Sequence, residues 1–258
     1  VGNANDCIFT DNKAEYGAGM HTGIATNCTF TNNAAENIGG AALKITANDC
    51  IFINNSAKNN GGAIYESDAI NCNFTGNTAG ANGGAIVGSD TNCAFNNNSA
   101  YRGGAMVNGT ATSCNFIGNK AVLLGGAMVN GTATDSNFTG NNATSSGGAI
   151  YYDFAIGTLI DNCYFENNQA LVNGGAFAWV YSNGNISHIR FKRNIAGENG
   201  GAIYINISNT TAMVNEQMLS NCYFIENHAK NGGAIYNNDS YRFYAEPLYF
   251  MNNSAEEN

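Results

Sequence analysis

Short apolar–polar alternations recur along the chain in a fixed order. Aligned on Phe9, Phe30, Phe52, Phe74, Phe95, Phe116, Phe138, Phe165, Phe191, Phe224 and Phe250, the pattern puts an Asn three residues after each Phe, from Asn12 to Asn253. Two residues beyond that Asn stands an Ala, from Ala14 to Ala255. Gly-Gly-Ala follows, as at Gly61-Gly62-Ala63 and Gly232-Gly233-Ala234; nine repeats keep it intact, and the first has Gly17-Ala18-Gly19-Met20 instead. The early period of 21–22 residues is too short for a packed helix pair. The Val, Ile, Tyr, Phe and Thr runs favour strand, and the Gly and Asn content disfavours helix. Leu is too scarce for a leucine-rich solenoid. The remaining solution is an all-β, right-handed parallel β-helix of about eleven coils, one per repeat. With ~4.8 Å between neighbouring strands, the rod is roughly 50 Å long.

Period-2 alternation assigns the faces. In Cys50-Ile51-Phe52 and its counterparts the middle residue varies freely (Ile8, Thr29, Asn73, Ala94, Tyr164), so it faces solvent and its neighbours face inward. Stacking then predicts a Phe ladder (Phe52, Phe74, Phe95, Phe116), a Cys ladder (Cys50, Cys72, Cys93, Cys114) and a turn-borne Asn ladder (Asn55, Asn77, Asn98, Asn119). The Gly pair suits a corner needing positive φ or close backbone approach. After it, Ile64, Ile86, Met106, Met128, Ile150, Phe177, Ile203 and Ile235 are expected inward, and the Tyr or Val that follows outward.

All eight cysteines hold one repeat position, taken elsewhere by Ser136, Ile189 and Leu248. Replacement by Ser, Ile and Leu favours buried free thiols in a small interior slot. Disulfides between stacked neighbours stay open, since ~4.8 Å lies within the permitted Cα range. No C-x-x-C supports zinc.

The coils widen after the seventh. A single domain is expected over 1–258, with narrow coils in 1–148 and long insertions in 149–258. The long segments are Tyr151–Asn162, Phe177–His188, Ile203–Asn221 and Ile235–Pro247, and register stacks them on one edge. Their aromatics form a candidate ligand-binding edge: Tyr151, Tyr152, Trp179, Tyr181, Tyr204, Tyr241 and Tyr244. Insertions on one face of a solenoid often bind. The competing expectation is that these residues simply fill a wider core.

Composition narrows the function. The chain has 46 Asn, a net charge of −9 and only 11% charged residues, which argues against nucleic acid and anionic membranes. No run of ~18 apolar residues would insert in a membrane. Asp153, Asp161, Glu166, Glu198, Glu216 and Glu226 concentrate in the widened half without forming an acid/base pair, and Arg190, Lys192 and Arg193 read as a solvated basic spot. His21, His188 and His228 are scattered in register. No catalytic, cofactor or metal site is expected. The first repeat opens within a few residues of Val1 and the last breaks off after Phe250–Ala255, as in a piece of a longer protein.

The paired F-x-x-N and G-G-A-[IM] motifs resemble the repeat of chlamydial polymorphic outer-membrane proteins. The Asn-rich spelling of Cys50-Ile51-Phe52-Ile53-Asn54-Asn55-Ser56-Ala57 with Gly61-Gly62-Ala63-Ile64-Tyr65 is similar to adhesin-like surface proteins of methanogenic archaea. The resemblance implies an extracellular, surface-displayed adhesin domain whose partner is a glycan or protein of another cell. It carries no catalytic residue across. The alternative is a polysaccharide lyase or glycoside hydrolase, because such enzymes also use this fold, a warrant of analogy alone.

Overall fold

A computed structural model describes residues 2–155, 157–182, 184–206, 217–238 and 243–256. Among them there is no helix. The strands form three parallel sheets, two of eleven strands and one of seventeen, each running from first coil to last. Coils are numbered here by their Phe, from Phe9 in coil 1 to Phe250 in coil 11.

The first eleven-stranded sheet, from Ile8–Thr10 to Leu248–Met251, pairs every ladder Phe with the next in register. Ring centroids lie 4.6 to 5.1 Å apart and planes within 20°, so coil spacing and aromatic stacking agree. Phe30 through Phe224 in this row are fully buried. Each such side chain contributes roughly 2–3 kcal/mol by burial alone.

A corner residue with positive φ turns the chain into the second eleven-stranded sheet, and the Asn ladder follows immediately. At Asn54 φ is 52°, a conformation Asn tolerates better than most residues. Asn55 then points inward with every amide group engaged. Its backbone N–H and its Nδ2 both donate to Asn77 Oδ1 (2.9 and 3.0 Å), and Nδ2 also donates to the Phe30 carbonyl (2.9 Å). A carboxylate has no donor for those acceptors, which explains why Asn never gives way to Asp here.

Gly61 (φ 63°) makes the next corner, and Gly62 is required by proximity, since a Cβ there would collide with the Gly84 carbonyl oxygen. The seventeen-stranded broad sheet begins after it. Ile64, Ile86, Met106, Met128, Ile150, Phe177 and Ile203 are fully buried, as alternation requires. The residues after them correct the expectation. Val107, Val129, Tyr151, Ala178 and Tyr204 do point out of the rod interior, yet they are buried as a second apolar cluster. The Gly corner folds the preceding segment back beside them, and Leu124 packs on the row.

The cysteines are free, and all but half-buried Cys7 are enclosed. Cys28 N–H donates to Cys50 Sγ (3.4 Å), and Cys50 Sγ donates to the Asn48 carbonyl (3.1 Å). Ser136 repeats both bonds with its hydroxyl, accepting from Cys114 N–H (3.0 Å) and donating to the Thr134 carbonyl (2.8 Å). The slot thus accepts a small donor-acceptor, or an aliphatic side chain as at buried Ile189.

Widening of the late coils has a simple geometry. In narrow coils the broad sheet bends two residues after the inward apolar position, at Lys44, Glu66, Asn108 and Asn130, all with positive φ. In coils 7 and 8 the bend moves two residues on, to Phe154 (φ 52°) and Tyr181 (φ 46°). The extra pair lengthens the strand, so Tyr152, Trp179 and Ile205, in mutual register, turn into the interior. Across the enlarged core, Ile160, Ile186 and Leu219 replace the Ala of earlier coils.

Candidate functional site

The expected aromatic edge separates into three environments. Tyr152 and Trp179 are fully buried, so they are core and not a binding face. Alternation from inward Ile150 and Phe177 reaches them because the strand runs on past the place where narrow coils bend. Phe177 packs edge-on against both (5.2 and 5.8 Å between centroids), and the Trp179 Nε1–H has no hydrogen-bond partner among the described residues. Burial pushes the Tyr152 phenol well above its ordinary pKa. Tyr151 and Tyr204 are covered in the second cluster, and burial pushes Tyr151 up to about 12. Only the outermost members remain accessible. Tyr181 stacks on Phe154 (5.0 Å), which is 63% exposed. Tyr244 is 54% exposed and borders a small hollow with Met218 and Glu246. Tyr241 lies outside the described residues.

A different surface gathers polar and aromatic groups. Tyr164, Arg190, Tyr223 and Tyr249 share one register column on the outer side of the Phe sheet. The Arg190 guanidinium sits 5.9 Å from the Tyr164 ring centroid, and Tyr223 stacks on Tyr249 at 4.6 Å. Beside this column runs a corner row, Asn162, His188 and Asn221, each with positive φ. Between them lies an open cleft of about 870 Å³, lined chiefly by Asn162, Tyr164, His188, Arg190, Asn221 and Tyr223.

The charges around this cleft are mostly committed. Glu166 pairs with both Lys192 (3.4 Å) and Arg193. Desolvation alone would raise its carboxyl pKa, but bonds from Arg193, Tyr164 and Lys192 outweigh this and hold it below the usual range. Asp161 accepts from Ser187 Oγ (2.7 Å) and pairs with His188 Nδ1 (2.8 Å), which likewise lower it. Arg190 has no carboxylate partner among the described residues. With Glu226 also 4.0 Å from Arg193, the basic spot seen in the sequence divides into two balanced cations and one free one.

Sequence reasoning missed this column because it treated the middle residue of Cys-x-Phe as merely variable. Its identity was the available signal. That residue is aromatic only at Tyr164, Tyr223 and Tyr249, all in the widened half. The narrow coils carry a smaller cleft, about 270 Å³, beside Tyr65, Val87, Arg102, Val107 and Asn108. Arg102 reaches Asp153 (3.7 Å) across the narrow-to-wide junction.

Between the end coils, inward ladders and corner glycines take up the recurring motif residues and leave the solvent-facing places to variable ones: this is a solenoid repeat protein. Six stretches, 49–65, 71–89, 135–153, 162–178, 188–206 and 221–238, match the Chlamydia polymorphic membrane protein repeat. The matched stretches, in six of the coils, are similar to that repeat. Each match starts at the corner before the Cys position and ends within the broad sheet, taking in only the first residues of the long segments. No curated protein matches the chain.

Proposed function

We propose that the chain is a surface-displayed adhesive rod, holding a recognition face on its wide coils toward a glycan or protein of another cell. One observation carries this reading: aromatic side chains that reach solvent concentrate in coils 7 to 11, where Phe154, Tyr223, Tyr244 and Tyr249 stand against Tyr16 and Tyr101 alone as exposed aromatics among the described residues of the narrow coils. The membrane-protein origin of the repeat family supports display at a cell surface. The acidic residues speak for binding over polysaccharide cleavage. Asp153, Asp161, Glu166, Glu198 and Glu226 each pair with a basic side chain. Glycoside chemistry needs a pair of carboxyl groups converging across one bond.

The test is attachment of beads coated with the chain to a panel of cells, scored beside release of reducing sugar from polysaccharides. Attachment is expected, weakened by Tyr223→Ala. A chain that attaches to nothing and liberates sugar ends would reverse the reading in favour of an enzyme.

A further inference from the structure

We infer that the cleft over Tyr164, Arg190 and Tyr223 binds an acidic glycan through sugar carboxylates; this rests on the adhesive reading and names its ligand class. The ring arrangement decides against an apolar partner. Tyr223 and Tyr249 turn their faces against each other (4.6 Å, 12°), and Arg190 covers Tyr164. The column thus presents ring edges and hydroxyls, and little of the broad apolar face that anchors protein hot spots. Around it stand the amides of Asn137, Asn162 and Asn221 and the His188 ring. Hydroxyls and amides, each both donor and acceptor, match the hydroxyls of a sugar.

Charge then selects among sugars. In a chain of net charge −9, Arg190 is a cation in the cleft with no acidic partner among the described residues. A neutral glycan would cover that guanidinium without pairing it, which is unfavourable. A carboxylate meets its planar fork with two parallel hydrogen bonds. Lys192 and Arg193 are balanced by Glu166 and Glu226, so a single localised cation is offered and not a basic strip. That arrangement suits a spaced carboxylate better than densely sulfated chains, which favour several free cations together.

The experiment measures binding of the purified chain to polygalacturonate, alginate and hyaluronate by affinity electrophoresis and calorimetry. Their methyl esters and dextran sulfate serve as comparison. At least one uronate polymer should bind, its ester about ten-fold more weakly. Arg190→Gln should lose a similar factor with an unchanged denaturation midpoint, Arg190→Lys should recover part of it, and Lys120→Gln on a narrow coil should change nothing. Equal binding of ester and acid, tighter binding of dextran sulfate, intact binding in Arg190→Gln, or no binding to any uronate would each overturn the proposal. Uronate binding by a chain that attaches to no cell would uphold this ligand class and sink the adhesive reading. Cell attachment untouched by Arg190→Gln would do the opposite.

Discussion

Asp90 shows how strongly register governs a single residue. It stands in an inward row otherwise held by Ala25, Ala47, Ala69, Ala111 and Ala133. Both carboxyl oxygens are buried without a hydrogen-bond partner among the described residues. Desolvation, with smaller repulsion from Cys114, Cys72 and Asp68, raises its pKa well above the ordinary value. A raised folded pKa makes this group's contribution complete below the unfolded value of about 3.9, and lost as pH rises through the folded one. Asp90→Ala should therefore stabilise the rod by about 1–3 kcal/mol at neutral pH, the usual cost of an unsatisfied buried polar group. The gap from wild type should close as pH falls toward 4. Chemical denaturation across pH 4 to 8 reads both, and a less stable variant would show that the carboxyl has a partner. The thiols belong to this scale too. Burial pushes Cys163 and Cys222 up to about 12, which suppresses the reactive thiolate. Native labelling should modify half-buried Cys7 first and the others only on unfolding; mass spectrometry follows the order.

At the scale of the element, the decisive feature is where the broad-sheet strand bends. A bend two residues later converts Tyr152 and Trp179 from edge to core. Trp179→Ala should accordingly cost about 3–5 kcal/mol as a large buried truncation. Tyr223→Ala, at an outward position 47% exposed, should stay within about 1 kcal/mol. Denaturation midpoints of the two variants make the comparison. A Trp179→Ala as mild as Tyr223→Ala would mean that the strand is not extended. The same element explains the second buried row, in which Val129 and Tyr151 lie outside the rod interior yet beneath the folded-back Gly corner.

Over the whole molecule each coil touches chiefly its two neighbours, so stability is close to a sum of coil and interface contributions. Middle coils should then bear substitutions worst. Phe95→Ala should cost about 3–5 kcal/mol, and Asn98→Ala about 1–3 kcal/mol by orphaning buried groups of the turn. Hydrogen exchange should follow the same gradient, slowest in the central coils; uniform protection from end to end would contradict it.

The repeat alone determined the coil, the Phe, Cys and Asn ladders, and the inward apolar row, for a physical reason. When coils stack in register, a residue's place in the repeat is also its environment, and a period of two leaves each place only one face. Even Ser136 in the Cys slot is legible on those terms. Tertiary structure decided what the repeat does not encode. Phe154 and Tyr181 hold the displaced bends although neither residue type favours positive φ, so no local signal marked the new corner. Burial of Val107 and Tyr204 depends on a chain segment folding over them from outside. The cleft exists only because residues 26 and 33 positions apart, Tyr164, Arg190 and Tyr223, fall side by side when coils of unequal length keep a common register.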